Sequence, residues 1–363
     1  MSAASRWPAP GRSPSLAGVE AFEVRDYRAG DAPRALAVLQ AAFGAWPGDR
    51  VAAHARPEEL FRWKHERNPH GPSHILLAEA EGRVIGMRAY MPWPLVVDGR
   101  RVDAVHTVDI ATHPDHGGRG ISSELSKRGI ARLRETRQFA LGLPNEMSRS
   151  ISRKVGWQPV GRVPVWARVH RPLRVLRRAR SLRSVGRSLA VPSVEAALAA
   201  EGLADAAAVA ELLHESRASG PHLATSAGVD YLRWRYEPML GDYRAVAEHE
   251  GGRLAGLAIF GLRQRGELWE GSVCELFVRP GDHRTAGRLL RQVASAAPLD
   301  YLAAVPAAGS AQGRLLRRAG FVRSPIGGRA LGVTLYQDAV TPDPRRRDSW
   351  SLSFGDLERL QLC

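Results

Sequence analysis

An internal repeat constrains the fold of this 363-residue chain more than any other feature of its sequence. Four short segments recur in the same order, roughly 170 residues apart. The pairs are FRWKH at 61–65 with LRWRY at 232–236, GRVIG at 82–86 with GRLAG at 252–256, Pro114 with Pro280, and Gly156-Trp157 with Gly320-Phe321. This separation is far longer than the period of a solenoid, so it predicts one domain of about 150 residues that is present twice.

Each copy combines helical and strand-like hydrophobic patterns. The copy-one elements are helices from Asp31 and over 57–67, strands over 74–79, 83–91 and 101–112, a long helix within 115–138 and a last strand over 159–169. Copy two repeats this order and ends on a strand over 330–336. Antiparallel strands with interspersed helices indicate an α+β (mixed α/β) class, with two domains that each contain a mostly antiparallel central sheet flanked by helices.

Changes in composition set the expected boundaries between segments. The N-terminal stretch is rich in Pro, Ser, Arg and Ala and lacks the apolar core of a secretory signal, which predicts a disordered leader. Between Glu146 and Glu195 there is no acidic residue, and this basic stretch separates the copies. The expected segments are a leader at 1–20, a first domain at 21–170, a basic linker helix at 171–192, a second domain at 193–338 and a tail at 339–363.

The stretch VHTVDIATHPDHGGRGISS at 105–123 carries the strongest functional signal. Alternating apolar and polar residues up to Thr112 predict a strand, and apolar residues at helical spacing from Ile121 predict a helix. Between them lies a glycine-rich turn, which leaves backbone N–H groups bare at the positive end of the helix dipole. Such a turn binds a phosphate or pyrophosphate, and the simpler alternative is a tight strand–helix turn without a ligand.

With these motifs the chain resembles the acyl-CoA-dependent N-acyltransferase superfamily, the GNAT fold, over most of its length. The family signature is Gln/Arg-x-x-Gly-x-Gly/Ala after the central strand. The matching positions here are Gly117, Gly118, Arg119, Gly120, Ile121 and Ser122. The central Gly120 is kept, whereas glycine and serine replace the first and last residues of the signature.

The resemblance implies that acetyl-CoA is the cosubstrate. Backbone N–H groups of residues 118–122 would hold the pyrophosphate of coenzyme A, and backbone groups at Ile110 and Thr112 would face the pantetheine arm and the thioester. Asn145 falls where the family places an asparagine, and it would bond the pantetheine amides or, alternatively, cap its helix. The two cysteines of the chain have no metal-ligand spacing, so no metal is expected.

Two side chains of the central strand are candidates for catalysis. His106 lies eleven positions before Gly117, where the histone-acetylating branch of the family places a glutamate base. An imidazole with a pKa near ~6.5 can take the proton of the attacking amine, directly or through water. Asp109 is the second candidate, and strand alternation places it on the opposite face of the sheet from His106. The alternative is that both are half-buried polar groups that bond to neighbouring strands.

Copy two lacks the glycine-rich turn. Its equivalent segment reads PGDHRTAG at 280–287, and the carboxylate of Asp282 would repel a phosphate. Copy two is therefore expected to shape the acceptor cleft between the copies rather than to bind a cofactor.

The basic stretch at 171–187 has apolar residues at helical spacing, including Leu173 and Leu176. The favoured interpretation is a linker whose apolar stripe packs on one copy while its arginines face solvent. Contact with an anionic membrane surface or with nucleic acid through this helix is the alternative.

Together these features predict an acyltransferase, in the simplest case an N-acetyltransferase, that moves an acetyl group from acetyl-CoA to an amine of a small molecule or peptide through copy one. The small number of cysteines and the lack of a long apolar run lead us to expect a cytoplasmic protein. A Fem-type, tRNA-dependent aminoacyl transferase and a non-catalytic binding scaffold on the same fold are the alternatives.

Overall fold

The computed structural model describes residues 21–47, 55–144, 154–178, 192–216, 220–306, 310–325, 328–337 and 339–357. The first half of the chain contains β1 (Glu23–Asp26), α1 (Ala32–Phe43), α2 (Pro57–His65), β2 (His74–Ala80), β3 (Arg83–Pro92), β4 (Leu95–Val97), β5 (Arg100–Val102), β6 (Ala104–Thr112), α3 (Ile121–Leu133), β7 (Phe139–Gly142), β8 (Gln158–Arg162), β9 (Trp166–Val169) and α4 (Pro172–Arg178). The second half contains β10 (Ala197–Leu198), α5 (Ala199–Gly202), α6 (Ala206–Ser216), β11 (Leu223–Thr225), α7 (Val229–Arg235), β12 (Tyr243–Glu250), β13 (Arg253–Arg265), β14 (Leu268–Val278), α8 (His283–Ser295), β15 (Tyr301–Ala304), α9 (Ala311–Arg318), β16 (Val322–Arg323), β17 (Ala330–Leu335), β18 (Trp350–Ser351) and α10 (Phe354–Leu357). The predicted leader at 1–20 and positions 179–191 of the predicted linker helix lie outside the described residues.

Three sheets organise these elements. The first sheet has the strand order β1-β2-β3-β6-β7-β17-β8, and the second has the order β10-β12-β13-β14-β15-β9-β16. A smaller sheet, β18-β11-β4-β5, joins strands from both halves and from the tail. Helix α3 packs on β2 and β3 of the first sheet, and α8 packs on β12 to β14 of the second. The predicted α+β class, with two sheets flanked by helices, is confirmed.

Each half of the chain gives its last strand to the sheet of the other half. β17 lies between β7 and β8 of the first sheet and is antiparallel to both. In the same way, β9 lies between β15 and β16 of the second sheet. The prediction of a single strand over 159–169 is therefore wrong, because this segment is divided into β8 and β9 in different sheets. Pro164 lies in the break, since it has no N–H to give to a ladder.

The two copies meet at the tryptophans of the repeated motif. Trp63 of α2 and Trp234 of α7 stack with ring centroids 4.8 Å apart and an interplanar angle of 15°. The indole N–H of Trp63 donates to the carbonyl oxygen of Trp234 at 2.8 Å, and the indole N–H of Trp234 donates to the carbonyl oxygen of Trp63 at 2.9 Å. These reciprocal contacts mark a pseudo-twofold axis between α2 and α7.

One hydrophobic core runs through both copies. It joins buried residues of the first sheet, such as Met87 and Leu77, to buried residues of the second, such as Leu257 and Ile259. Because the core is continuous and the last strands are exchanged, the copies form one packed unit. The site in copy one is therefore built on elements that copy two supports.

Candidate active site

The central strand β6 separates from its parallel neighbour β7 halfway along its length. The two strands pair from Ala104 with Phe139 to His106 with Leu141, and β7 ends at Gly142. β6 continues to Thr112 against β3 on its other side. No described residue forms a backbone ladder with the β7-facing edge of β6 beyond His106. The result is a fork between the strands with an open backbone edge.

The backbone groups that face this fork follow from the ladder between β3 and β6. The N–H of His113 donates to the carbonyl oxygen of Ile85 in β3 at 2.8 Å. Because backbone groups alternate in direction along a strand, those of Thr112 and Ile110 point to the opposite edge. The sequence analysis named these two residues as the ones that face the thioester, and the structure places their backbone groups at the fork.

The strand ends in a turn that opens the N-terminus of α3. Residues Pro114–His116 form a short 3₁₀ turn, and Gly118 and Gly120 have φ of +77° and +76°. Among the described residues, no atom beyond the chain neighbours lies within 4 Å of the position that a Cβ would take at either glycine, so the positive φ and not a lack of space requires glycine here. Gly120 caps α3 without any side-chain hydrogen bond. The N–H groups of the first turn therefore keep their capacity to bind an anion.

The residues of the predicted signature that follow the turn tie the helix to the strand. The hydroxyl groups of Thr112 and Ser122 lie 2.8 Å apart, and the hydroxyl of Ser126 donates to the carbonyl oxygen of Ser122 at 2.7 Å. Ile121 is buried against Gly86, where a Cβ would lie 2.6 Å from its side chain. Close packing of β3 on α3 thus fixes the direction of the helix N-terminus.

The outer side of the turn is an open, basic groove of about 460 Å³. Its lining residues are Phe22, Arg119, Gly120, Ser123, Glu124, Lys127 and Arg128. The lining contains three cations, Arg119, Lys127 and Arg128, and one acid, Glu124, which pairs with Arg128 at 2.8 Å, so the groove is positive. Among the described residues, the groove leaves the outer side of the turn accessible.

Asp109 lies at a β-bulge of β6 and has φ of +39°, a rare value for a residue other than glycine. Its carboxylate Oδ2 lies 2.6 Å from Nζ of Lys64 and 3.0 Å from Nε2 of His65. Both partners come from the end of α2, and all three side chains are 0–1% exposed. Both ring nitrogens of His65 are hydrogen-bonded in one tautomer. In it, Nε2–H donates to Asp109, and Nδ1 accepts from the hydroxyl of Ser73 at 3.0 Å.

The charges in this cluster compensate one another. Burial alone would raise the pKa of Asp109, but the ammonium of Lys64 and the hydrogen bond from His65 outweigh it and hold the pKa below the ordinary 3.8. Burial lowers the pKa of His65, and the Asp109 carboxylate opposes this change. The cluster is therefore an ionised carboxylate paired with one ammonium and oriented by a neutral imidazole.

His106 is fully buried, and its ring contacts the ring of Trp93 edge-on with centroids 5.8 Å apart. Its Nδ1 lies 3.2 Å from the carbonyl oxygen of Thr107, and its Nε2 is buried without a described hydrogen-bond partner. Burial lowers the pKa of His106 to about 4, so the imidazole is neutral at pH 7. Its catalytic role stays a prediction, and so does that of Asp109.

The expectation that His106 and Asp109 face opposite sides of the sheet is wrong. Arg88 of β3 is paired with Ile110, and the next residue, Ala89, is paired with Val108, so Asp109 is an extra residue in β6. A bulge of this kind breaks the alternation of side chains. Asp109 therefore points towards α2 on the same side as His106.

Copy two contains a related cluster, in which Arg235, Tyr236 and Glu275 take the places of Lys64, His65 and Asp109. Glu275 accepts hydrogen bonds from the hydroxyls of Tyr236 at 2.7 Å and of Ser353 at 3.0 Å. Burial raises the pKa of Glu275 to about 8, and the carboxylate of Asp356 adds to this rise. Nε of Arg235 donates to the carbonyl oxygen of Gly355 at 2.6 Å, so the tail of the chain completes this cluster.

The helix N-terminus of copy two is closed by its own side chain. The carboxylate Oδ1 of Asp282, the N-cap of α8, accepts a hydrogen bond from the backbone N–H of Thr285 at 2.9 Å. At the equivalent place in copy one, Gly120 leaves these N–H groups without such a bond. The two copies therefore differ in their capacity to bind an anion.

Comparison with known proteins agrees with this geometry. Residues 23–160 match the acetyltransferase (GNAT) domain family. Residues 23–160 therefore form a GNAT domain. None of the curated proteins matches the chain at a significant level of sequence similarity.

Solved structures of GNAT proteins share the fold of most of this chain. A protein from Enterococcus faecalis V583, described as a conserved protein of unknown function and probable N-acyltransferase, superposes with a TM-score of 0.61 and 12% identity over 87% of this chain and 73% of its own. A GCN5-related N-acetyltransferase from Anabaena variabilis has a TM-score of 0.60 and 14% identity over 87% and 73% of the two chains. Another, from Kribbella flavida, has a TM-score of 0.58 and 19% identity over 87% and 72%. At these identities the likeness shows the fold.

The contacts of Lys64 and His65 with Asp109 were not predicted from the sequence. A signal for them was present, because the repeated motif aligns Lys64-His65 with Arg235-Tyr236. Asn145, in contrast, lies outside the described residues. Among the residues that the structure describes, no group of three or more His, Cys, Asp or Glu side chains could hold a metal ion, and no helix is long and apolar enough to cross a membrane.

Proposed function

We propose that this protein transfers an acetyl group from acetyl-CoA to an amine, and that the transfer takes place in copy one. The observation that carries the proposal is the uncapped N-terminus of α3 at the end of a strand with an open backbone edge. The N–H groups of the turn from Gly118 to Ser122 hold the pyrophosphate, and the basic groove beside Lys127 takes the remaining phosphate of the nucleotide.

The backbone edge of β6 supplies the main electrostatic catalysis. The N–H groups of Ile110 and Thr112 face the fork, where the thioester carbonyl would lie. As the amine nitrogen attacks, its lone pair forms the new C–N bond and negative charge builds on the carbonyl oxygen. A backbone N–H aimed at this oxygen contributes about 2.7–4 kcal/mol in other enzymes.

To complete the transfer, the attacking amine has to lose a proton and the C–S bond of the thioester has to break. The C–S bond breaks as the oxyanion collapses, and coenzyme A leaves as a thiolate, a tolerable leaving group with a pKa near ~8.5. His106 takes the amine proton, directly or through water. Asp109 acts as a positioning residue, because its pairing with Lys64 and His65 fixes the bulge that sets the direction of the neighbouring Ile110 N–H.

The acceptor in this proposal is an amine of a small molecule or of a peptide, reached in the cytoplasm. Copy two supports the site without a cofactor of its own. Its equivalent helix N-terminus is already bonded to Asp282, and a nucleotide phosphate would meet that negative charge.

Calorimetric titration with acetyl-CoA tests the proposal, with Gly120→Asp as the test variant and Gly281→Asp as the matched control. Both glycines have positive φ, +76° and +85°, and open space around the Cβ position, so the two variants carry the same strain and charge. We expect the wild type and Gly281→Asp to bind acetyl-CoA, and Gly120→Asp to bind it more than tenfold more weakly, since its carboxylate would take the place of the phosphate. Absence of binding by the wild type, binding of a charged tRNA in its place, or equal effects of the two variants would overturn the proposal.

A further inference from the structure

The described residues contain four large apolar side chains that are strongly exposed. They are Val169 (45% exposed), Leu173 (70%), Leu176 (76%) and Val322 (67%). We call this group the apolar edge patch, because all four lie at or next to the β9–β16 edge of the second sheet. β9 ends at Val169, and α4 begins three residues later at Pro172.

The valines of the patch share one face of the sheet. Val322 of β16 pairs with Ala167 of β9, and Val169 follows Ala167 by two positions in the same strand. Since cross-strand partners and residues two apart point the same way, Val322 and Val169 lie on the same side. An exposed apolar surface thus continues from the sheet edge to the start of α4.

α4 is held with its leucines outwards by two of its arginines. Nε of Arg174 lies 3.0 Å from the Asp300 carboxylate, and Nη1 of Arg178 lies 2.6 Å from the Glu267 carboxylate. These arginines are one helical turn apart and anchor one face of the helix to the second domain. Leu173, Leu176 and Arg177 occupy other positions of the turn and are exposed.

An ordinary surface helix buries its leucines, whereas α4 exposes Leu173 and Leu176 together with its arginines. The sequence analysis favoured a stripe packed on one copy, and for Leu173 and Leu176 that expectation is wrong. The ion pairs of Arg174 and Arg178 tie one face of α4 to the second domain, and the face that carries Leu173 and Leu176 is exposed.

The charge around the apolar edge patch indicates the chemistry of that partner. Residues 154–178 contain no acidic residue. Their cations are Lys154, Arg162, Arg168, Arg171, Arg174, Arg177 and Arg178. Arg171 and Arg177 are exposed and make no ion pair with any described residue. A partner must therefore offer both negative charge and an apolar interior.

We propose that the apolar edge patch and the arginines beside it bind the surface of a membrane that contains anionic lipids. The arginines lie against the lipid phosphates and the leucines enter the boundary between headgroups and acyl chains. Nucleic acid fits less well, since a phosphate backbone gives exposed leucines nothing to contact. A second copy of the chain would bring two clusters of arginine together.

Co-sedimentation with lipid vesicles tests this proposal. The vesicles contain phosphatidylcholine with about 30 mol% phosphatidylserine, or phosphatidylcholine alone. We expect the full-length protein to bind the first type and not the second. The double variant Leu173→Ser/Leu176→Ser should lose at least about tenfold in binding while its unfolding temperature is unchanged, because these side chains are mostly exposed already.

Matched arginine variants separate the patch from the overall charge of the protein. Arg177→Ala should weaken binding about fivefold, and Arg284→Ala, which removes an exposed arginine at the far helix α8, should not change it. Equal binding to both vesicles, equal binding by the leucine variant, or equal effects of the two arginine variants would overturn the proposal. So would a dimer in light scattering that the leucine variant abolishes, or a nucleic-acid affinity in place of vesicle binding.

Discussion

The two copies hold a buried acid at the same point of the fold and keep it in opposite protonation states. In copy one, Asp109 is ionised because the Lys64 ammonium lies 2.6 Å away. In copy two, Glu275 has a pKa raised to about 8 by burial and by Asp356, and it accepts hydrogen bonds from hydroxyl groups. The same backbone frame therefore supports a charged centre in one copy and a neutral one in the other.

The difference extends from these acids to the surfaces around them. In copy two Asp282 caps a helix whose counterpart in copy one has no side-chain cap, and the tail residue Ser353 bonds to Glu275. β14 and β15 also form a fork, since they pair only from Glu270 to Ser272. Under the proposed function a fork alone does not make a site, because the neighbouring helix N-terminus has to be open as well.

The largest expected effect comes from removing the charge of each acid in turn. Asp109→Asn leaves the Lys64 ammonium buried without its counter-charge, so we expect the free energy of unfolding to fall by about 3–5 kcal/mol at pH 7. Glu275→Gln replaces a carboxyl that is already mostly neutral, so a loss of about 1 kcal/mol or less is expected. Urea denaturation measures both, and equal losses would contradict the contrast between the copies.

A second test compares the residues at the base of each fork. We expect His106→Gln to lower the turnover of acetyl-CoA about a hundredfold, because a glutamine cannot take the amine proton, while the affinity for acetyl-CoA is unchanged. Ser272 has the equivalent place in copy two, so Ser272→Ala should leave turnover as it is. Because the pKa of His106 is about 4, the imidazole is protonated only in acid, and we expect the wild-type turnover to fall only below about pH 4–5. Unchanged turnover in His106→Gln would remove this residue from the mechanism.

The pH dependence of stability should have opposite signs in the two copies. The raised pKa of Glu275 stabilises the fold fully below its ordinary value of 4.5, and this contribution is lost as the pH rises through about 8. The lowered pKa of Asp109 stabilises the fold above 3.8, and this contribution is lost as the pH falls below that value.

Unfolding measured from pH 3 to pH 9 distinguishes these contributions. From pH 5 to 8 the wild type should lose up to about 1.4 kcal/mol per pH unit relative to Glu275→Gln. The advantage of the wild type over Asp109→Asn should instead shrink below pH 3.8. Parallel curves for the wild type and Glu275→Gln would show that Glu275 does not titrate as described.

Trp63 and Trp234 make equivalent contacts, so substitutions of the two should have equal effects on stability. Trp63→Phe and Trp234→Phe each remove one indole N–H bond and part of the stacking, so each should cost about 1–2 kcal/mol of unfolding free energy. Because the two side chains contact each other, the double variant should cost less than the sum of the single ones. An additive double variant would contradict the reciprocal contact.

The smallest expected effect lies at the helix cap of copy two. Asp282→Ala should cost about 1 kcal/mol, since the N–H of Thr285 loses its partner, whereas Asp282→Asn keeps the cap and should cost little. Neither variant should gain affinity for acetyl-CoA, because the turn of copy two lacks the Gly-x-Gly conformation. Binding of acetyl-CoA by Asp282→Ala would show that the cap alone prevents copy two from binding it.

Local patterns predicted the individual elements well. The strand over 74–79 and the helix from Ile121 follow from hydrophobic periodicity and turn residues, which act over a few positions. The fold class followed from the order of these elements. The roles of the predicted site residues stay predictions, although the structure places the backbone of Ile110 and Thr112 at the fork.

Features that depend on distant parts of the chain were not predicted. Periodicity over 159–169 indicates a strand but not which sheet it enters, and so the exchange of β9 and β17 was missed. The side of the sheet to which Asp109 points depends on a β-bulge, and no residue type in the sequence predicts that bulge. The outward face of α4 depends on acids at Glu267 and Asp300, which lie about a hundred positions away in sequence.

The exchange of β9 and β17 also has a consequence for how this duplicated protein can change. A half-chain made alone would have a gap in its sheet between β7 and β8, or between β15 and β16, with two backbone edges left without a partner. A cut in the connector, by contrast, would leave two fragments that each hold a strand of the other. Neither half can be discarded on its own, because each completes the sheet of the other whether or not it binds a ligand itself.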